Sequence, residues 1–170
     1  MSTLSCLQWT VVVWVQFNER AIVEMQSVDS RAGPAEQVDR GRQRALVAAR
    51  TAEDNRGRNI VVLDLRELTA MFDYFVLATG TSRRQLHAMS EEIDHTLEKQ
   101  MGDRRLGIEG YEESRWILLD YGDVVIHLFD SETRAYYALE DLWGEAKRVP
   151  FEPRHRQPPP DPPAELPDAE

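Results

Sequence analysis

The apolar positions of this chain recur with two periods, and the alternation between them marks out the elements. From about Ala35 to Arg56, Ala45, Leu46, Ala49 and Ala52 fall at helical spacing. Arg40, Arg42, Arg44, Arg50 and Arg56 occupy much of the rest, which predicts an amphipathic helix ended by Gly57. Ile60 to Leu63 is an unbroken apolar, β-branched run too short for a helix, as in a strand buried on both faces. Phe72 to Thr79 predicts a second strand closed by Gly80. Ser82 and Gln85 then stand at capping-box spacing before a helix that runs to about Gln100. Leu86, Met89, Ile93 and Leu97 form its buried stripe, and Gly102 stops it.

Beyond Gly102 the period falls to two. Arg115–Asp120 and Asp123–Phe129 predict a hairpin joined across Tyr121-Gly122, with Asp120 opposite Asp123, Leu118 opposite Val125 and Trp116 opposite His127. Ile117, Leu119, Val124 and Ile126 then fill the other, purely aliphatic side, which must be core. A last helix from about Ser131 to Gly144 places Ala135, Tyr136, Leu139, Leu142 and Trp143 on one side, to cover the sheet. The order helix, strand, strand, helix, strand, strand, helix predicts one α/β (α+β) domain with a mixed β-sheet flanked by helices.

Composition sets the ends. Residues 1–34 read as an extension and linker, 35–149 as the domain, and 150–170 as a tail holding eight of the nine prolines together with acidic residues, a composition expected to stay disordered. The apolar run Trp9–Phe17 is shorter than the roughly 20 residues that span a bilayer and lacks the flanks of a signal peptide. Met25 is an alternative start. A single cysteine, Cys6, points to a reducing compartment, so a cytoplasmic location is expected. The formal charge of -10 disfavours free nucleic acid as a partner unless a basic patch is locally concentrated, and suits a basic protein surface.

Catalytic constellations fail on spacing. His87, Glu91 and His95 share a helix face but span about 12 Å of rise, too far for one metal ion, so a solvated face is expected. No Gly-x-Ser-x-Gly elbow exists, and Cys6 has no organised base. Gly80-Thr81-Ser82 opens a helix as a nucleotidyltransferase turn does, yet Arg83, Arg84, Gln85, Leu86 and His87 follow without the metal-binding carboxylate pair. No metal and no cofactor are expected. Asp120 and Asp123 could act as acid and base, but aspartates beside turns are usually turn formers. Their face mixes an aromatic, aliphatics, a histidine and carboxylates, the makeup of a protein-binding surface. The same pattern fits a Trp116 covered by a helix. From Glu109 to Glu132 there are seven acidic residues and one basic, Arg115, which favours a lysine- and arginine-rich partner.

Asp73-Tyr74-Phe75-Val76-Leu77-Ala78-Thr79-Gly80-Thr81-Ser82 is similar to the strand-to-helix motif of the ribosomal silencing factors, the Iojap-like family. Glu109-Gly110, the stretch from Trp116 to His127 and the segment Tyr137–Trp143 resemble that family's most characteristic sequence, so the resemblance covers roughly residues 40–145. It implies a nucleotidyltransferase-like fold lacking the catalytic carboxylates and used as a binding module. The implied partner is the large ribosomal subunit, held through its basic fourteenth protein. Joining of the small subunit would be blocked sterically and translation repressed under nutrient limitation, with a link to late large-subunit assembly. By motif match the binding role falls on Glu109, Trp116, Leu118, Asp120, Asp123 and His127, with Tyr121 at the turn. The extension and the acidic tail lie outside the family pattern, and the extension lacks the composition of a mitochondrial transit segment.

Overall fold

A computed structural model describes residues 34–151, with side chains from residue 40 onward. The expectations for the N-terminal extension and the proline-rich tail lie outside the described residues. The elements are α1 (Pro34–Asp54), β1 (Arg58–Asp64), β2 (Tyr74–Thr79), α2 (Arg83–Met101), β3 (Gly107–Glu109), β4 (Trp116–Asp120), β5 (Val124–Phe129), α3 (Ser131–Tyr137), α4 (Leu139–Leu142) and β6 (Lys147–Arg148). The strands form one mixed six-stranded sheet in the order β3-β4-β5-β2-β1-β6. β2 and β5 run parallel and every other pair antiparallel.

Helices α1 and α2 cover one face. The buried stripe of α1 is Ala45, Ala48, Ala49 and Ala52, with Leu46 only half-buried. Such small side chains let the helix lie close to the sheet. Pro34, read as linker in the sequence, opens α1, where its missing N–H leaves no helical bond unmade. At the other end Gly57 is not the residue with positive φ. Arg56 takes the left-handed conformation (φ 63°) while its amide bonds to Glu53, and the Gly57 amide bonds to the Ala52 carbonyl, closing a Schellman motif. Gly57 is needed because a Cβ there would sit 2.7 Å from that carbonyl oxygen.

The α2 stripe is Leu86, Met89, Ser90, Ile93 and Leu97, and Gly102 ends the helix at φ 68° as the spacing predicts. Only half of the capping box forms. Ser82 Oγ accepts from the Gln85 amide at 3.2 Å, but Gln85 Oε1 turns to the Thr81 amide (2.8 Å). Its Nε2 donates to the carbonyls of Asn55 and Arg56, tying the start of α2 to the end of α1.

The hairpin register differs from the expected one by two residues. Asp120 pairs with Val125, Leu118 with His127 and Trp116 with Phe129, and the Tyr121 amide donates to the Val124 carbonyl at 3.0 Å. The two-residue turn is therefore Gly122-Asp123, with Gly122 at φ 88°, the positive value such hairpin turns require. A shift of two preserves the period, so the residues of β4 and β5 keep their predicted faces, and Asp123, now in the turn, leaves its own. The last helix is broken. Ala138 adopts φ 42°, dividing the segment into α3 and α4, and Ala135, Tyr136 and Leu142 are exposed instead of buried, while Leu139 and Trp143 are half-buried. Short strands β3 and β6 extend the sheet at its two edges.

Candidate functional site

The face away from α1 and α2 carries Leu63, Leu65, Phe72, Phe75, Leu77, Leu118, Val125 and Phe129, partly covered by Val61, Trp116, Leu139, Trp143 and Ala146. Cross-strand pairing lines up Glu109, Leu118, His127 and Leu77 in one row across four strands. Trp116 and Asp120 share the face with Leu118 by the strand alternation. Five of the seven residues singled out in the sequence therefore gather here: Glu109, Trp116, Leu118, Asp120 and His127.

The other two do not. Tyr121 is buried in the core beneath the helices, where its hydroxyl donates to Asp94 and burial pushes its pKa up to about 12. With the turn at Gly122-Asp123, Tyr121 is the last ladder position and alternates onto the helix side. Asp123 sits beneath α1, ion-paired with Arg44, which also holds Asp103 at 2.8 Å. Burial raises the Asp123 pKa, opposed by Arg44. Burial would also raise that of Asp103, but Arg44 and Arg40 hold it below the usual value. Gly41, a costly residue inside a helix, is explained by this contact, because a Cβ there would lie 2.9 Å from Asp123 Oδ2. Asp120 instead accepts from the Gly122 amide at 2.7 Å, a turn-forming bond, and its carboxyl is pushed up by burial. The two aspartates thus serve different sides of the turn.

Around Trp116 the aromatic rings form a connected cluster. Its ring lies 5.0 Å from Phe129 and 4.8 Å from Tyr137, and Phe75 meets His127 edge-on at 4.7 Å and Trp143 at 5.8 Å. Trp116 Nε1 donates to His127 Nδ1 at 3.2 Å, which fixes the imidazole proton on Nε2. That Nε2 is buried without a hydrogen-bond partner. Burial lowers the His127 pKa to about 3, so the ring is neutral. The sign of the linkage follows: below about pH 6.5 the unfolded imidazole takes up a proton that the folded one refuses, and stability falls until the folded pKa is reached. Between pH 7 and pH 5 this costs about 2 kcal/mol. Urea titrations at both pH values should show that loss in the parent and a smaller one in His127→Gln; parallel profiles would assign the acid sensitivity to another group.

Solvent reaches this face at its margin. Leu118 and His127 are covered, Trp116, Tyr137, Leu139 and Trp143 are half-buried, and Glu109 is exposed. Tyr136, 72% exposed, and Leu142, 45% exposed, continue the apolar surface. Unbroken helical spacing predicts both inward, because nothing in Ala138-Leu139 announces a helix break. Arg115, the one basic residue of the acidic stretch, is engaged by Asp130 and Glu132, so the rim stays acidic.

The loop between β3 and β4 is braced by α2. His87 stacks on Tyr111 at 4.1 Å, and its Nε2 donates to the Tyr111 carbonyl (2.8 Å) and lies 2.5 Å from Ser114 Oγ. Tyr111 donates to Glu91, and Arg83 to the Glu112 carbonyl. Of the face expected to be solvated, Glu91 and His95 are exposed, while half-buried His87 and the Glu91 carboxylate also buttress the loop that joins Glu109 to Trp116. No group of three metal-type ligands occurs among the described residues. A polar groove of about 310 Å³ between α1 and α2, lined by Arg50, Thr51, Asp54, Glu92 and Thr96 among others, includes none of the residues singled out above. No helix of the described residues is long and apolar enough to cross a membrane.

The family model described as ribosomal silencing factor during starvation matches residues 38–169. Over 106 residues, 62% of this chain and 90% of the relative, the sequence is 37% identical to a ribosomal silencing factor of Halalkalibacterium halodurans. It is 34% identical over 113 residues, 65% of this chain and 49% of the relative, to a mouse protein named for mitochondrial assembly of the ribosomal large subunit. A crystal structure of a Chromobacterium violaceum protein superposes with a TM-score of 0.58 at 36% identity, covering 65% of this chain and 90% of that one.

Proposed function

The chain belongs to the ribosomal silencing factor family, and we propose that it binds the large ribosomal subunit through the basic fourteenth protein of that subunit, sterically blocking the small subunit and so repressing translation when nutrients are scarce. The observation that carries this reading is the half-exposed aromatic cluster around Trp116, held on a sheet and bordered by Glu109, Asp120 and Glu132. Aromatic anchors inside an acidic rim suit a basic protein surface, with charge steering the encounter and the rings supplying affinity. Glu109, Trp116, Leu118, Asp120 and His127 form the proposed face, Leu118 and His127 from beneath it. Tyr121 and Asp123 act by holding the hairpin in place.

The reading requires no catalysis. Two amides of the turn that could cradle a phosphate are already in use: Gly80 donates to the Phe129 carbonyl at 2.8 Å and Thr81 to Gln85 Oε1 at 2.8 Å. Arginines stand where a metal-binding carboxylate pair would be needed.

Sucrose-gradient sedimentation of purified subunits under joining conditions tests the proposal. The chain should travel with the large subunit, and joined ribosomes should decline in proportion to its occupancy, by mass action. A chain that stays at the top of the gradient while joining is unchanged refutes it. The name of the mouse relative favours a second reading, a large-subunit assembly factor. That reading predicts association with immature large particles and not with mature ones.

A further inference from the structure

Four arginines stand on the neighbouring segments that form the end of the domain, at the C-terminus of α1, the start of β1 and the start of α2. Arg56 follows α1, Arg58 opens β1, and Arg83 and Arg84 are the first residues of α2. All four are exposed. They are brought together by named contacts: Gln85 donates to the Arg56 carbonyl at 2.8 Å, and Arg58 pairs across the sheet with Thr79, four residues before Arg83. The first turn of α2 contains no acidic residue.

The local backbone is arranged at a cost. Arg56 holds φ 63°, a conformation that glycine adopts far more readily. Asn59, at φ 48°, lies within a bulge that shifts the β1–β2 register between Arg58 and Val61. Bulges of this kind re-aim the neighbouring side chains. A chain with net charge -10 thus places four guanidinium groups at one end of the domain, none of them in an ion pair with a described side chain, and Arg83 spends one donor on the Glu112 carbonyl.

Resting on the proposed ribosome-binding role, we infer that this corner is a second contact, made with the phosphate backbone of ribosomal RNA. The acidic, aromatic face takes a basic protein and the arginine corner takes the adjoining RNA, so the factor is oriented by two surfaces of opposite charge. The contact is to phosphate and carries no base specificity. Overall negative charge keeps the corner from binding free RNA tightly, and the RNA contact forms only once the protein face has docked.

The full chain carrying Arg56→Gly, Arg58→Gln and Arg84→Gln tests this against the unmodified chain. Binding to purified large subunits is measured over a series of potassium chloride concentrations, with melting temperature recorded for both. The variant should melt no lower, since glycine relieves position 56. It should bind roughly tenfold more weakly at low salt, with the slope of log affinity against log salt reduced by about two. A photo-crosslinking residue introduced at exposed Ala88, one turn further along α2, should label ribosomal RNA. Equal affinity and slope in the two chains, or a label confined to ribosomal proteins, overturns the inference. If instead the acidic 152–170 segment of the same chain occupied the corner, neutralising the arginines would leave affinity equal or higher, and that too overturns it. Should the unmodified chain fail to sediment with large subunits, the silencing proposal itself falls; failure of the variant comparison alone removes only the RNA contact.

Discussion

Trp116→Ala is expected to weaken binding to the large subunit by at least about thirtyfold, the equivalent of roughly 2 kcal/mol for a central aromatic anchor. The magnitude follows from how the ring is held. It is clamped between Phe129 at 5.0 Å and Tyr137 at 4.8 Å, with its indole N–H on His127. Little side-chain freedom is left to lose when a partner docks, so the contact area converts to affinity with a small entropic cost. Truncation also leaves His127 with neither ring nitrogen bonded, and the fold should lose about 2 kcal/mol or more from the half-buried ring. Two companions separate binding from folding. Trp116→Phe keeps an aromatic ring against Phe129 and Tyr137, while Tyr136→Ala removes a ring that is 72% exposed and should leave the melting temperature unchanged while weakening binding several-fold. If Trp116→Ala is folded at the assay temperature and binds large subunits within threefold of the parent, the proposed face is not the interface.

The elements that could be read from the sequence are those whose signals are local. Ser82 and Gly102 delimit α2 as predicted because a cap bond and a left-handed terminus are decided within four residues. The alternation assigns both faces of β4 and β5 correctly, since a two-residue register error leaves the side of every strand residue unchanged; Asp123, predicted in the strand and found in the turn, is the exception. The turn itself was misplaced because Tyr121-Gly122 and Gly122-Asp123 offer the same glycine. Contacts far along the chain decided between them: Arg44 draws the Asp123 carboxylate beneath α1, and the Asp123 carbonyl accepts from Asp73 at 2.8 Å. The break at Ala138 leaves no mark in the sequence, because alanine is a favoured helix residue; its φ of 42° separates α3 from the segment whose Leu139 and Trp143 pack on the sheet. Strands of two or three residues, β3 and β6, are too short to show a period. For the site, composition identified the aromatic and acidic character of the hairpin face, but the partition into covered residues (Leu118, His127) and reachable ones (Trp116, Glu109) depended on where α3 and α4 lie.

Gly110→Ala should be the most damaging single-methyl change in the domain, lowering folding stability by about 3 kcal/mol or more. Two costs combine there. Gly110 has φ 68°, which charges any L side chain about 1 kcal/mol. An added Cβ would also overlap the carbonyl oxygen of Trp116, a backbone atom of β4 that cannot swing aside as a flexible side chain could. Gly102→Ala isolates the first cost, because Gly102 has the same φ of 68° and nothing within 4 Å of its missing Cβ. Urea denaturation of the two variants should differ by about 2 kcal/mol, the share due to overlap. The functional consequence follows from what the loop joins. Gly110 lies between Glu109 and Trp116, and the Ser114 amide donates to its carbonyl at 3.0 Å. If the loop shifts to relieve the overlap, the stacking of His87 on Tyr111 and the bond from Arg83 to Glu112 break with it. Subunit binding should then fall even where the variant remains folded. Equal stabilities for Gly102→Ala and Gly110→Ala would mean that the β3–β4 loop yields without cost, and that α2 does not hold the proposed face in position.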